Sequence, residues 1–299
     1  MRELDYKKVF NVLAEETKKY LLDNNLKAMV LGISGGIDST VSAAICYEVS
    51  KKLNIPLIGL LLPSSSNKVE ENNSALNVAK AFTTDYRAIN INKLYEEFES
   101  LIPFKQTPIS RGNILARTRM TIIRNIANIT EGLTIDNTNF TEYNLGFFTV
   151  NDNQDYCLIR DLWKTEVYGL AEWLSNYYKK QLHTITSAEE KLKYCKMYEA
   201  VKKSMELTPT DGLGISNSDL DQIGANSYKE VDAILQDFLA YNDLFPENSK
   251  KVNMENYFVE NAMYYVEPEV IEKILQRHIA SEFKRKKAPI YIERSKYEN

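Results

Sequence analysis

Ala28-Met29-Val30-Leu31-Gly32-Ile33-Ser34-Gly35-Gly36-Ile37-Asp38-Ser39 runs from an apolar stretch, through a tight turn, into a helical pattern. The apolar run has the length of a short strand buried on both faces, and helical spacing continues from Asp38 to Leu53. Paired glycines let the backbone turn sharply and bring its N–H groups close to a ligand. Serine hydroxyls add donors and a helix start adds partial positive charge, so the turn suits a phosphate or pyrophosphate. Asp38 alone repels a phosphate. It makes sense there if it holds Mg2+ that bridges to the phosphate oxygens. The blander reading is a plain turn, with Ser34 or Asp38 capping the helix. The strand-to-helix context, in a chain with only eleven glycines, favours the phosphate. The lysine and longer spacing of a Walker A loop are missing.

Outward from this turn, strands and helices alternate. An amphipathic helix is expected from Leu4 to Leu22, strands over Pro56 to Leu62 and Tyr86 to Ile91, and a helix over Asn67 to Phe82. Ser100 to Arg111, with two prolines, reads as a loop. A long helix follows over Asn113 to Thr130, then a strand at Gly132 to Ile135. Asp136 to Cys157 is polar and resists assignment. Helices are expected over Lys164 to Lys180 and Ala188 to Lys203, an exposed loop over Thr208 to Ser218, and mainly helix beyond. The alternation predicts an α/β fold, a doubly wound parallel sheet with helices on both faces. One domain over residues 1–299 is the simplest organisation.

Composition narrows the chemistry. With two histidines and three cysteines, and no CxxC or HxxxH pair, zinc sites, a disulfide framework and histidine-based triads have little support. The net charge of −4 argues against a dedicated nucleic-acid binder. No apolar run is long enough to span a bilayer, and the charged N-terminus does not read as a signal peptide, so the cytoplasm is expected.

The turn resembles the SGGxDS pyrophosphate loop of the ATP pyrophosphatases, and the later motifs resemble ammonia-dependent NAD synthetases. Gly112-Asn113-Ile114-Leu115-Ala116-Arg117-Thr118-Arg119-Met120 is similar to that family's GNxxARTRM helix. Glu142 to Thr149 resembles its ExxxGFFT segment, and Asp161-Leu162-Trp163-Lys164-Thr165 its DLYKT. Pro209-Thr210-Asp211-Gly212-Leu213, with Ser218 to Gly224 after it, resembles PTxxL…DExxLG, and Phe283 to Ile290 resembles the HKRxxPPI tail. The motifs come in the family's order along nearly the whole chain.

The resemblance implies an adenine nucleotide alpha-hydrolase-like fold and a ligase that adenylates deamido-NAD with ATP. It then amidates the adenylate with ammonia, giving NAD, AMP and PPi. ATP is implied at Gly32, Ile33, Ser34, Gly35, Gly36, Ile37, Asp38 and Ser39, together with Asn137, Lys164 and Thr210. Asp38, Lys164 and Thr210 are the implied catalytic residues, and Asp38 and Glu142 the Mg2+ ligands. Deamido-NAD is implied at Asn113, Arg117, Asp155, Phe283 and Lys284. The family is dimeric, so a homodimer is expected. No glutaminase domain is expected, leaving free ammonia as the nitrogen source.

Some positions depart from the family pattern. Asn137 stands for a threonine, Val150 for a lysine and Phe283 for a histidine, and the glycine-rich loop has become Asn151 to Asp155. Three of these changes lie on the dinucleotide side. The rivals are another amidotransferase or thiolase with the same loop, and a regulatory protein that holds ATP without turning it over.

Overall fold

The structure, a computed structural model, describes residues 4–151, 154–210, 218–244 and 267–285. Five parallel strands form the sheet: β1 (Ala28–Gly32), β2 (Leu57–Leu61), β3 (Asp85–Ala88), β4 (Gly132–Asp136) and β5 (Tyr156–Cys157), in the order β3-β2-β1-β4-β5. The central β1 pairs on both sides, Met29 lying opposite Leu57 and Leu133.

Side chains alternate across the sheet, so each strand feeds two cores. Met29 and Leu31 join Leu57, Leu61, Leu133 and Ile135 in the larger cluster. Val30 joins Leu60 and Leu62 in the cluster on the other face. The larger core lies under α1 (Tyr6–Asp23), α2 (Ile37–Leu53), α3 (Val69–Phe82), α7 (Lys164–Thr184) and α8 (Ala188–Glu206). The second lies under α5 (Pro108–Ile129), with α4 (Asn92–Leu101) packed on α5. This is the doubly wound sheet that the alternation predicts.

A third apolar cluster sits beyond the strand ends. It joins α6 (Phe140–Leu145) with α9 (Asp219–Ile223), α10 (Tyr228–Leu244) and α11 (Pro268–Ala280) through Leu145, Ile223, Ile234, Phe238 and Ile274. The short α12 (Glu282–Arg285) follows.

Two stretches fold differently from the sequence reading. Ser100 to Arg111 is not all loop. Pro108 opens α5 at the helix start, where its missing N–H costs nothing, and Thr107 and Ser110 cap each other across that first turn. The α4 helix, which reaches into this stretch, buries no residue fully; Leu94, Phe98 and Leu101 lie exposed. Within the unassigned stretch, Asn139 and Glu142 form the capping box that starts α6.

Candidate active site

The order of the sheet creates the site. From β1 the chain moves to β2 on one side, while β4 lies on the other, so the loops after β1 and β4 diverge and leave a crevice at the strand ends. Ser34 to Ser39 follow β1, and Asn137 to Glu142 follow β4. Motifs a hundred residues apart in sequence thus meet at one point.

Gly36 is the N-cap of α2 and supplies no side chain to its first turn. Ser39 Oγ and Thr40 Oγ1 both donate to the Gly36 carbonyl, at 3.0 and 2.9 Å. The Gly36 carbonyl, which also accepts from Thr40 N at 3.1 Å, points into the helix, and the N–H groups of the helix start are the feature that attracts an anion. Gly35 has φ +84°, and a Cβ there would lie 2.4 Å from the Ala75 backbone nitrogen. Ser74, buried on α3, donates to the Gly35 carbonyl at 2.8 Å. The loop is therefore clamped from behind by α3. Asn137 Nδ2 donates to the Gly32 carbonyl at 3.0 Å and ties the ends of β4 and β1 together. Its Oδ1 is buried and has no protein donor among the described residues, so it can still accept from a ligand.

Asp38, Glu142 and Lys164 converge. The Lys164 ammonium donates to Asp38 Oδ2 at 2.5 Å and to Glu142 Oε1 at 2.9 Å. Asn139 Nδ2 adds a bond to Asp38 Oδ1 at 2.8 Å. The lysine side chain is 1% exposed, whereas those of Asp38 and Glu142 are 16% and 19% exposed. The carboxylates, not the ammonium, therefore face the crevice. Burial pushes the Glu142 carboxyl up to about 7, reinforced by repulsion from Asp38 and opposed by Lys164. For Lys164, burial pulls downward, but the two carboxylates outweigh it and hold the ammonium well above the usual lysine range.

Of the residues expected on the dinucleotide side, Asn113, Arg117 and Lys284 bond to the segment from Gly146 to Val150. Thr149 Oγ1 donates to Asn113 Oδ1 at 2.8 Å. Arg117 donates to the Val150 carbonyl at 3.3 and 3.2 Å, and the Lys284 ammonium donates to the carbonyls of Gly146 and Phe148 at 2.7 and 2.8 Å. Asp155 pairs with Arg124 at 2.5 Å and accepts from Thr134 Oγ1 at 2.7 Å. Phe283, which directly precedes Lys284 in the sequence, is 59% exposed. His278 anchors the tail from below. Its Nδ1 lies 3.0 Å from the Asn144 carbonyl, an acceptor, so Nδ1 carries the proton, and Arg285 approaches Nε2 at 3.5 Å. Burial and the Arg285 charge push this imidazole down to about 4, against the bond to Asn144.

Several contributors escaped the sequence reading: Ser74, Asn139 and Arg160. Arg160 lies 4.6 Å from the centre of the Tyr143 ring and 3.5 Å from Asp136 Oδ1, and Tyr143 in turn stacks on Phe148. Only its place just before Asp161-Leu162-Trp163-Lys164 hinted at a role. Thr210 is half-buried beside the start of α9, where Asp219 N donates to the Pro209 carbonyl at 3.2 Å. The rest of that motif, 211–213, lies outside the described residues, as do 152–153 of the altered loop and 286–290 of the tail. A cleft of about 520 Å3 lined by Tyr47, Trp173 and Tyr177 lies toward the other ends of α2 and α7, away from Asp38 and Lys164.

A sequence model described as NAD synthase matches residues 9–288. An NH3-dependent NAD+ synthetase of Thermococcus sibiricus is 35% identical over 176 residues, covering 58% of this chain and 68% of that protein. One from Thermococcus kodakarensis is 30% identical over 237 residues, covering 79% and 82%. Among solved structures, an NMN synthetase from Francisella tularensis superposes with a TM-score of 0.73 at 23% identity, covering 97% of this chain and 99% of that one.

Proposed function

Because this chain belongs to the NAD synthase family, we propose that the crevice between β1 and β4 is where it makes NAD. The enzyme is a ligase that forms NAD from deamido-NAD, ATP and ammonia. A nicotinate carboxylate oxygen attacks the α-phosphorus of ATP, and the bond to pyrophosphate breaks. Ammonia then attacks the acyl carbon of the adenylate, AMP leaves, and the added nitrogen sheds a proton. Neither step needs a protein nucleophile, which suits a site with no histidine or cysteine among its convergent residues.

The convergence of Asp38, Glu142 and Lys164 at the start of α2 carries this reading. Two carboxylates already flank one cation, the lysine ammonium, and both reach the crevice. Carboxylate oxygens beside a polyphosphate are the donor set that Mg2+ takes, so Asp38 and Glu142 fit as its ligands. Bound there, Mg2+ would neutralise charge on the phosphates of ATP. The Lys164 ammonium offsets negative charge on the two carboxylates, which lowers their repulsion of a phosphate. The N–H groups of the Gly36 turn receive the pyrophosphate, and Asn137 Oδ1 accepts from the nucleoside. Thr210 closes the ATP side, while Asn113, Arg117, Asp155, Phe283 and Lys284 line the side of the nicotinate substrate.

We read the chain as one ATP pyrophosphatase-type domain that uses free ammonia. A homodimer is supported by an apolar stripe exposed among the described residues, in which Leu94, Phe98 and Leu101 on α4 continue into Ile102, Phe104 and Ile109. A cytoplasmic location is supported by free cysteines at 46, 157 and 195.

The test is an assay with ATP, Mg2+, ammonium and deamido-NAD, following NAD and AMP together. Equal amounts of the two products are expected, and Asp38→Ala and Glu142→Ala each abolish turnover. PPi release only with some other acid, or full activity in either variant, overturns the reading. Nicotinate mononucleotide is the second acid to assay. Asn113, Arg117, Asp155 and Lys284, four of the residues expected to meet a dinucleotide, are already engaged with protein atoms.

A further inference from the structure

The first turn of α7, which begins at Lys164, is capped from elsewhere in the chain. Its own N-cap is Trp163, whose indole can donate but not accept. Thr141 Oγ1 accepts from the Lys164 N–H at 2.8 Å instead. Asp232 Oδ2 accepts from the Thr165 N–H at 2.9 Å and from Thr165 Oγ1 at 2.7 Å. The caps are joined, because the Thr141 hydroxyl donates to Asp232 Oδ1 at 2.5 Å.

Asp232 is completely buried, and no lysine, arginine or histidine among the described residues forms an ion pair with it. What compensates its burial is the positive end of the α7 dipole and these hydrogen bonds. Its partners are adjacent in sequence to the two charged groups of the site: Thr141 directly precedes Glu142, and Thr165 directly follows Lys164. Four residues earlier on the same face of α10, Tyr228 places its ring 5.5 Å from the Lys164 ammonium. The helix that carries both is seated by Val231, Ile234, Leu235 and Phe238 in the third apolar cluster, outside the sheet.

We propose that Asp232 is a positioning residue that joins the starts of α6 and α7 and so fixes Glu142 and Lys164 against each other. The inference rests on the reading of those two residues as the charged machinery at the nucleotide. A carboxylate suits the task because its two oxygens take both links at once. Asparagine keeps one acceptor, but its NH2 group cannot accept a donated hydrogen bond. A misplacement of about an ångström at a reacting group is enough to cost roughly a hundredfold in rate.

The experiment compares steady-state kinetics of Asp232→Asn, Thr141→Val, Thr141→Ser, the double variant Thr141→Val/Asp232→Asn and Lys164→Met, with near-ultraviolet circular dichroism as the check on folding. Asp232→Asn and Thr141→Val are expected to lower kcat by roughly a hundredfold, with the KM for ATP within about threefold of the native value. Thr141→Ser restores the hydroxyl and should restore kcat to within about threefold. The double variant should be no slower than the slower single one, because both changes cut one link. Native kcat in folded Asp232→Asn and Thr141→Val overturns the proposal. So does a Thr141→Ser variant as slow as Thr141→Val, or fully additive losses. If Asp232→Asn does not fold, the Val and Ser pair at Thr141 decides alone. An inactive Lys164→Met beside a fully active Asp232→Asn sinks only the positioning role, whereas an active Lys164→Met removes the function proposed for Lys164 itself.

Discussion

Around Gly36 the chain turns its donors outward, and around Gly146 to Val150 it turns them on itself. On the first side, a helix start without a side-chain cap meets two carboxylates that reach the crevice. On the second, Asn113, Arg117 and Lys284 are bound to the segment they surround. The two sides also respond oppositely to acid. Glu142 is raised to about 7, so its folded environment favours the proton, while His278 under the tail is lowered to about 4, so its environment rejects one. On the function proposed, the first side is prepared for the charged nucleotide, and the second would exchange internal bonds for external ones when its substrate arrives.

The sharpest probe of the first side is the pair of glycines in its turn. Gly35→Ala places a Cβ against backbone atoms of α3, at 2.4 Å from Ala75 N and 2.8 Å from Glu71 O, at φ +84°. Backbone strain and overpacking together should cost roughly 4 kcal/mol of stability. Gly36→Ala meets nothing nearer than Ser34 Oγ at 3.5 Å and should cost less than about 1 kcal/mol, while raising the KM for ATP because the new methyl stands where a phosphate approaches. Urea denaturation and ATP kinetics on the two variants separate the roles. Equal stabilities would show that α3 does not clamp the loop.

That contrast explains what the sequence could reveal. The strand, turn and helix around Gly35 are local, and their chemistry is written in consecutive residues, so fold class and loop could be read directly. The α3 clamp could not, because Ser74 is one small polar residue in an ordinary amphipathic helix. Asp232 was equally silent: an acid beside Val231 in an apolar stripe reads as a solvated position until Thr141 and Thr165 are seen to meet it. Residues matched by resemblance came out at two levels. Asp38, Glu142 and Lys164 meet at one point, whereas the partners of Arg117, Asp155 and Lys284 depend on how the chain returns to β4 and α5, which no local pattern encodes.

The opposite acid responses give the next test. An unfolded His278 takes up a proton near its ordinary 6.5, whereas the folded one resists until about 4, so stability falls as pH drops through that window. The full difference is about 3 kcal/mol, of which about 2 is lost between about pH 7.5 and pH 5. Glu142 acts in reverse. The native state holds a proton that the unfolded chain releases between 4.5 and about 7, so stability falls as pH rises. In urea melts without Mg2+, His278→Gln should remove the acid-side loss and Glu142→Gln the alkaline-side loss. Two variants that shift the pH dependence in the same direction would erase the contrast.

The smallest effect tests whether the inward-turned side is a substrate surface at all. Asp155 links Arg124 on α5 to Thr134 on β4, with both charged side chains about two-fifths exposed, at 39% and 44%. Solvent screens such a pair, so Asp155→Asn should change stability by less than about 1 kcal/mol. Its kinetic signature is the informative one. If the carboxylate leaves Arg124 to meet the nicotinate substrate, the KM for that substrate rises while the KM for ATP and the urea midpoint stay near their native values. If Asp155 only holds β5 in register, neither KM moves, and the substrate surface must be sought among Arg117, Phe283 and Lys284 instead. We expect the first outcome, because the strand register has backbone support: Ile135 pairs with Tyr156 and Asp136 with Cys157. The sheet edge therefore keeps its place without the carboxylate, which leaves Asp155 available for exchange.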